Sequence, residues 1–198
     1  MITTRQEVAP RLRHPAFAVL CLRPPIVQLT AAEQQLLRRQ AALRQHAVEL
    51  GVAEGGSAYL MAQVLAPSAT LDLVDPFFPG VLRFVGAHEL IARRLMGKTS
   101  QKVRFIKALS WEAPRLADFC PVDLLFIDAD HSTEAVRRDW DAWEPLLSSD
   151  PIVLFHDAVD ERTGVLLTSG PGIVVRELVA NGWVVLETAG ALAAIARK

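Results

Sequence analysis

Apolar residues in this chain fall into short continuous runs, and stretches with helical spacing separate the runs. The segments 46–50, 70–74, 102–108, 122–127 and 152–155 read as strands, the last two as the nearly unbroken apolar runs of strands covered on both faces. Between them, helices are expected over 57–66 and 82–96 and from Ser132 onward. In the last of these Val136, Trp140, Trp143 and Leu147 recur on one face, which marks the tryptophans as core. Thr30-Ala31-Ala32-Glu33 is a capping box that opens a helix running to about Arg44. Ser110 to Pro114 reads as the cap and first turn of a helix that Pro121 closes. Pro171 suits the first turn of a final helix and Gly182 its stop; 183–187 and 191–196 then form a hairpin about Gly190. Residues 1–29 carry prolines at 10, 15, 24 and 25 without any period, and read as an irregular arm. Pro76-Phe77-Phe78-Pro79-Gly80 cannot be regular structure, and the long 158–170 connection suggests a lid or binding loop.

Strands that alternate with helices imply an α/β fold: a Rossmann-like, doubly wound, mostly parallel sheet with helices on both faces and a C-terminal antiparallel hairpin. We expect one domain over 1–198, made of the arm, a leading helix over 30–45 and a core over 46–198. Such sheets bind ligands beyond the C-terminal ends of their strands. The polar residues at those ends are Gly51, Asp75, Ser110, Asp128 and the pair His156-Asp157, so successive strands bring chemistry to one rim. The sharpest local pattern is the strand Val48-Glu49-Leu50 running into Gly51-Val52-Ala53-Glu54-Gly55-Gly56-Ser57. Glycines let a backbone turn tightly and approach a ligand. Asp75, at the end of the next strand, can accept hydrogen bonds from a ribose. A nucleoside-bearing cofactor is the natural occupant.

Composition narrows the classes. Apolar residues at 51% and charged residues at 22% are those of a soluble globular protein. A net charge of −1 offers no field for nucleic acid, and the arginine pairs 38–39, 93–94 and 137–138 read as solvated helix faces. Two cysteines exclude a disulfide framework and a cysteine-rich metal site. The apolar run 16–22 is short and ends at Arg23-Pro24-Pro25, so no signal peptide is expected. No run reaches membrane-spanning length, and a cytoplasmic protein is the expectation. Nothing in the pattern decides between a monomer and a homo-oligomer.

With these residues in place, the sequence resembles the class I S-adenosylmethionine-dependent methyltransferases. The resemblance is to the compact bacterial branch of small-molecule O-methyltransferases and cephalosporin-hydroxylase-like proteins. It covers about 46–198 and rests on Val48-Glu49-Leu50-Gly51 through Gly55, Asp75-Pro76-Phe77, Phe126-Ile127-Asp128-Ala129-Asp130-His131-Ser132, Phe155-His156-Asp157-Ala158 and Pro171-Gly172. It implies that Glu49 and the backbone at Gly51 and Gly55 hold the methionine part of the cofactor, and that Asp75 takes the ribose. Ser110 and Trp111 sit where the family contacts adenine; the alternative for Trp111 is a core aromatic. Many relatives have Gly-Asp where this chain has Ala108-Leu109, so that aspartate contact is absent.

The resemblance further implies that Asp128 touches the cofactor and that catalysis involves His131, Asp128, His156 and Asp157. His131, with an ordinary pKa near ~6.5, is the expected base; the alternative is a helix-start histidine that only hydrogen-bonds the cofactor. Metal-dependent relatives hold a divalent cation through positions matching Asp128, Asp157 and Ala158, the last without a ligand oxygen here. Two carboxylates and water would suit a magnesium-like ion, and His156 as a ligand would favour a softer one. In the metal-free alternative Asp128 and Asp157 orient His131, His156 and the substrate. The implied reaction is O-methylation of a small hydroxylated metabolite. A catalytically inactive cofactor-binding partner subunit is the alternative. A nicotinamide-dependent oxidoreductase is disfavoured, because Gly51-x-x-x-Gly55-Gly56 lacks the Gly-x-Gly-x-x-Gly turn that meets a pyrophosphate.

Overall fold

A computed structural model describes residues 3–4, 13–78, 86–119 and 121–198. In chain order its elements are β1 (Thr3–Thr4), α1 (Pro15–Val19), β2 (Ile26–Val27), α2 (Ala31–Ala41), β3 (His46–Leu50), α3 (Gly56–Ala62), β4 (Thr70–Val74) and α4 (Ala87–Met96). There follow β5 (Lys102–Ile106), β6 (Val122–Ile127), α5 (Thr133–Trp143), β7 (Leu147–Phe155), α6 (Gly170–Ala180), β8 (Trp183–Ala189) and β9 (Leu192–Arg197). The expected first turn of the helix 82–96, together with Pro10, Pro79, Gly80 and Cys120, lies outside the described residues.

Seven strands form one sheet in the order β5-β4-β3-β6-β7-β9-β8. β3 pairs in parallel with both β4 and β6, and β9 runs antiparallel to β7 and β8, as the pattern predicts. The chain builds outward from β3 to β5 and then crosses back to β6. The switch point therefore lies between the ends of β3 and β6, where an open α/β sheet leaves a crevice.

Alternation along each strand divides the core. Ala47, Leu71, Leu73, Leu124, Phe126 and Leu154 face α2, α3 and α4, while Val48, Leu50, Leu125, Ile127, Val153 and Phe155 face α5 and α6. Thr30 and Glu33 form the predicted capping box at the head of α2. Glu33 also reaches across the fold, accepting the Ala191 N–H at 2.7 Å and so tying α2 to the β8–β9 turn.

Several expectations are corrected. The helix expected after Ser110 is one 3-10 turn, Ala113–Arg115. Past Pro114 only Phe119 packs on the core, against Trp143, and Leu116 is 65% exposed; so short a helix with so little to bury does not sustain itself. Leu147 opens β7 instead of ending α5, because Pro145 stops the helix in a 3-10 turn at Glu144–Leu146. The segment read as an irregular arm contains α1 and the two-stranded parallel β1–β2 sheet. Within the 158–170 connection Ala158 and Val159 are buried and Val159 is bridged to Leu166, while 161–165 stay exposed, which leaves the expectation of a binding loop standing. No helix among the described residues is long and apolar enough to cross a membrane.

Gly51 has φ +87°, and a Cβ there would sit 2.2 Å from the Asp128 carbonyl oxygen. Gly182 has φ +97° and open space around the same position. Gly51→Ala should therefore remove about 3 kcal/mol or more of stability, from strain and clash together, and Gly182→Ala only about 1–2 kcal/mol. Urea unfolding of both variants checks this; equal losses would contradict the close approach.

Candidate active site

At the rim, the ladder continues past the strand ends. Gly51 N–H donates to the Val74 carbonyl at 2.9 Å, Asp128 N–H to the Leu50 carbonyl at 2.9 Å, and His156 N–H to the Ile127 carbonyl at 3.1 Å. The four strand ends are thus fixed side by side. Asp75 organises the turn that follows. One of its oxygens accepts the N–H groups of Val52 and Ala53, at 2.8 and 3.1 Å, and the other accepts that of Phe77 at 2.6 Å. A carboxylate has about four acceptor sites, so one remains for a ligand hydroxyl. Ala53 and Asp157, which line the two cavities described next, and the buried Phe77 between Pro76 and Phe78 have positive φ of 46°, 51° and 44°, a strained conformation for non-glycine residues.

Two cavities open on this rim. The first, about 460 Å³, is lined by Gly51, Val52, Ala53, Gly56, Ser57, Val74, Asp75, Pro76, Phe78, Leu109, Ser110, Trp111 and the segment Asp128 to His131, with Ile26 and Gln28 from the arm. The second, about 480 Å³, is lined by Arg13, Gln28, Leu29, Thr30, Glu33, Asp128, His131, His156, Asp157 and Glu161. Gln28, Asp128 and His131 belong to both walls.

Gly51, Asp75, Ser110, Trp111 and Asp128 thus share one cavity, and Trp111 lines it, with the Arg138 guanidinium 5.6 Å from its ring centre, instead of filling the core. Glu49 and Gly55 are absent from that wall. Glu49 is fully buried beneath the turn, where Ser57 donates to one oxygen and the other has no partner among the described residues. Burial pushes its pKa well above the usual carboxylate range, against the Ser57 hydrogen bond. Gly55 is the left-handed cap of α3, packed against Ala92 of α4. Both residues shape the turn from behind.

The arm is what the sequence pattern missed. Arg23 and Glu54 form a buried ion pair, and Glu54 also accepts the Ile26 N–H at 2.9 Å. This clasp presses β2 on the glycine turn so closely that a Cβ on Gly56 would meet the Ile26 oxygen at 2.5 Å. Ile26 and Gln28 become cavity wall as a result. No local period could reveal a pair 31 residues apart. The capping-box glutamate Glu33, in the second wall, did carry a local signal.

Between the cavities stand two histidines and two carboxylates. His131 has Nε2 3.2 Å from Asp128 Oδ1 and Nδ1 2.8 Å from Asp157 Oδ2. His156 Nδ1 lies 2.9 Å from Asp128 Oδ1 and 3.6 Å from Asp157 Oδ1. The shorter of these contacts is out of line for a hydrogen bond, so this buried nitrogen has no partner among the described residues. Hydrogen bonding to Asp128 and then Asp157 pushes the His131 pKa up to about 10. For His156 burial opposes the charge, and the Asp128, Asp157 and Glu33 carboxylates outweigh it and raise the pKa. Burial likewise opposes the charge on Asp128, and the two histidines hold its pKa down. His131 is therefore an imidazolium at neutral pH with both nitrogens turned to carboxylates. In this arrangement both ring nitrogens donate, and to act as the expected base His131 must first give up a proton to the medium.

A family model described as a methyltransferase domain matches residues 48–158. An uncharacterized protein of Sinorhizobium fredii is 34% identical over 115 residues, which are 56% of this chain and 13% of that much longer relative. Among solved structures, the O-methyltransferase TomG from Streptomyces achromogenes superposes with a TM-score of 0.64 at 15% identity, covering 97% of this chain and 91% of that one. An O-methyltransferase from Bacillus cereus gives 0.57 at 19% identity, covering 98% and 84%. At these identities the likeness is one of fold.

The raised His131 pKa has a stability consequence. The contribution of the pairing is fully present below about pH 6.5, the unfolded value, and is lost as pH rises through about 10. In metal-free buffer, urea midpoints of the wild type and His131→Asn should differ most between about pH 5 and 6.5 and converge toward pH 10. A difference constant across that range would contradict a protonated His131.

Proposed function

This chain belongs to the methyltransferase-domain family of class I S-adenosylmethionine-dependent enzymes, and we propose that it moves the cofactor's methyl group to a hydroxyl oxygen of a small hydroxylated metabolite. The observation that carries this reading is the pair of cavities meeting at Gln28, Asp128 and His131. The first has what S-adenosylmethionine needs: a glycine turn, Asp75 with an acceptor site left for ribose, and an apolar end formed by Phe78, Leu109 and Trp111 for a flat base. A cofactor held there would present its methyl group to the shared wall of Gln28, Asp128 and His131. The second cavity is polar, with Leu29 its one aliphatic residue among the described lining, and suits a hydroxylated acceptor. The solved O-methyltransferases with this fold include proteins bound to S-adenosylmethionine or S-adenosylhomocysteine, in keeping with the reading.

The acceptor oxygen attacks in line: the O–CH₃ bond forms, the S–CH₃ bond breaks, and the sulfonium becomes a neutral thioether. Holding the two reactants at attack distance contributes effective molarities of about 10⁵–10⁸ M, so positioning dominates. Asp157 is half exposed in the second cavity and receives the hydroxyl proton, a contribution near the low end of the ~10²–10⁴-fold range because His131 keeps its pKa low. His131 and His156 hold the two carboxylates against each other's repulsion.

The same residues fit a divalent cation. Ligand atoms of Asp128, His131 and His156 lie within 4.8 Å of one another, and the buried His156 Nδ1 faces Asp128 Oδ1 at 2.9 Å without an aligned hydrogen bond. Ala158 is fully buried and offers no oxygen, so the donor set is nitrogen-rich and favours a transition ion over magnesium. Asp128, His131 and His156 would hold such an ion once both imidazoles are neutral, and it would acidify a bound hydroxyl.

Calorimetry should show S-adenosylhomocysteine binding with micromolar-class affinity, about −8 kcal/mol, and no binding of NAD. Binding of NAD alone would overturn the reading. In thermal unfolding, Mn²⁺ or Zn²⁺ at about 100 times its dissociation constant should stabilise by about 2.7 kcal/mol, Mg²⁺ at the same concentration should not, and Asp128→Asn should abolish the response. Indifference to all three ions would remove the cation and leave the carboxylate route.

A further inference from the structure

Arg23 and Glu54 stand apart from both cavities of the site: neither side chain lines the first or the second. The two side chains are only 2% and 7% exposed. The guanidinium directs its terminal nitrogens inward. Nη1 donates to Glu54 Oε2 at 2.7 Å and to the Pro24 carbonyl at 2.8 Å. Nη2 donates to Glu54 Oε1 and to the Arg13 carbonyl at 3.3 Å. Desolvating two charges costs about as much as their attraction returns, and apolar groups of similar size often replace such a pair without loss of stability. What apolar groups do not supply is direction, because a two-pronged guanidinium–carboxylate contact fixes angle as well as distance.

That direction is used in the glycine turn. Glu54 lies between Ala53 at φ 46° and Gly55 at φ 77°. An alanine stays in the left-handed region only where its surroundings hold it. On one side, the N–H groups of Val52 and Ala53 donate to Asp75. On the other, Glu54 is gripped by Arg23 and accepts the Ile26 N–H at 2.9 Å. The turn is therefore clamped between the carboxylate that faces the cofactor cavity and the arm. Along the arm, Val27 and Leu29 are each 2% exposed in the core, and Ile26 and Gln28, on the opposite side of the extended chain, are cavity wall. The Arg13 carbonyl ties a residue of the second wall to the same guanidinium.

We propose that Arg23 and Glu54 are a positioning pair for cofactor binding, holding the Val52 and Ala53 amides where they orient Asp75 and setting the Ile26–Gln28 wall against the cavity. The proposal rests on the first cavity holding S-adenosylmethionine. Without the pair, Ala53 relaxes from its left-handed conformation and its amide leaves Asp75. The carboxylate is then no longer aimed before the ligand arrives, and binding has to order the turn as well as fill the cavity.

Calorimetry with S-adenosylhomocysteine, alongside thermal melting, separates positioning from stability in two double variants, Arg23→Met/Glu54→Gln and Arg23→Met/Glu54→Leu. The glutamine keeps an acceptor for the Ile26 N–H, and the leucine makes the place wholly apolar. Both variants should melt within a few degrees of wild type, because a buried pair has been replaced together and no charge is stranded. Both should bind S-adenosylhomocysteine roughly tenfold or more weakly, the scale of a strained conformation that binding must restore. Asp75→Ala should cost roughly tenfold in wild type and less than about threefold in either double variant, since an Asp75 already released has less to lose. Wild-type affinity in a folded double variant overturns the proposal. So does an Asp75→Ala cost that is the same in all three backgrounds. Loss of the fold in both double variants assigns the pair a structural role and overturns it as well. Failure of wild type itself to bind S-adenosylhomocysteine is a different result, and sinks the cofactor reading on which the proposal rests.

Discussion

The architecture depends on one close approach, that of Gly51 to the backbone of Asp128. β3 and β6 are neighbours in the sheet, and beyond their ends the two chains leave in different directions. Only a residue without a Cβ can pass the Asp128 carbonyl there, and only a residue comfortable at φ +87° can make the turn. Everything functional hangs on that crossing. The turn after Gly51 offers its amides to Asp75, and Asp128 projects from the other strand to form the wall common to both cavities. A shift of either strand end would move cofactor and acceptor sites together.

Around that point the protein concentrates charge and strain that its core would not tolerate. Asp128, His131, His156 and Asp157 form a compact group of opposite charges in which each histidine faces carboxylates. The geometry explains why no single member behaves as its free side chain would. His131 is held charged, and the carboxylates are held low. Of the five described non-glycine residues with positive φ, Ala53 and Asp157 line this space and Phe77 lies between its lining residues Pro76 and Phe78, while Cys21 and Leu43 lie away from it. Such strain persists only where the surroundings over-determine it. Here the surroundings are the Asp75 hydrogen bonds, the buried Arg23–Glu54 clasp and the Glu33 link to the hairpin.

Much of this was legible from the chain. Strand runs, the capping box at Thr30 and Glu33, the glycine turn and the hairpin about Gly190 are local signals, and a doubly wound, mostly parallel sheet follows from their alternation. The gathering of Gly51, Asp75, Ser110, Asp128 and His156-Asp157 at one rim was equally readable, because strand ends were. What was not readable depends on distance in sequence or on environment. Arg23 meets Glu54 across 31 residues, which places Ile26 and Gln28 in the site. The second wall takes Arg13 and Leu29 from a segment with no period. The protonation of His131 follows from the carboxylates at its two nitrogens, which spacing alone does not reveal. The burial of Glu49 is likewise a matter of environment: the resemblance implies that it holds the cofactor's methionine part, and in this fold it is fully buried with Ser57 on one oxygen.

A crystal structure of the protein with S-adenosylhomocysteine and no other ligand tests the central claim most directly. The account predicts the base against Leu109, Ser110 and Trp111, the ribose hydroxyls on Asp75, and the sulfur at the Asp128–His131 wall, opening on the second cavity. A ligand bound elsewhere, or lying in the first cavity with its sulfur turned away from that wall, would contradict it.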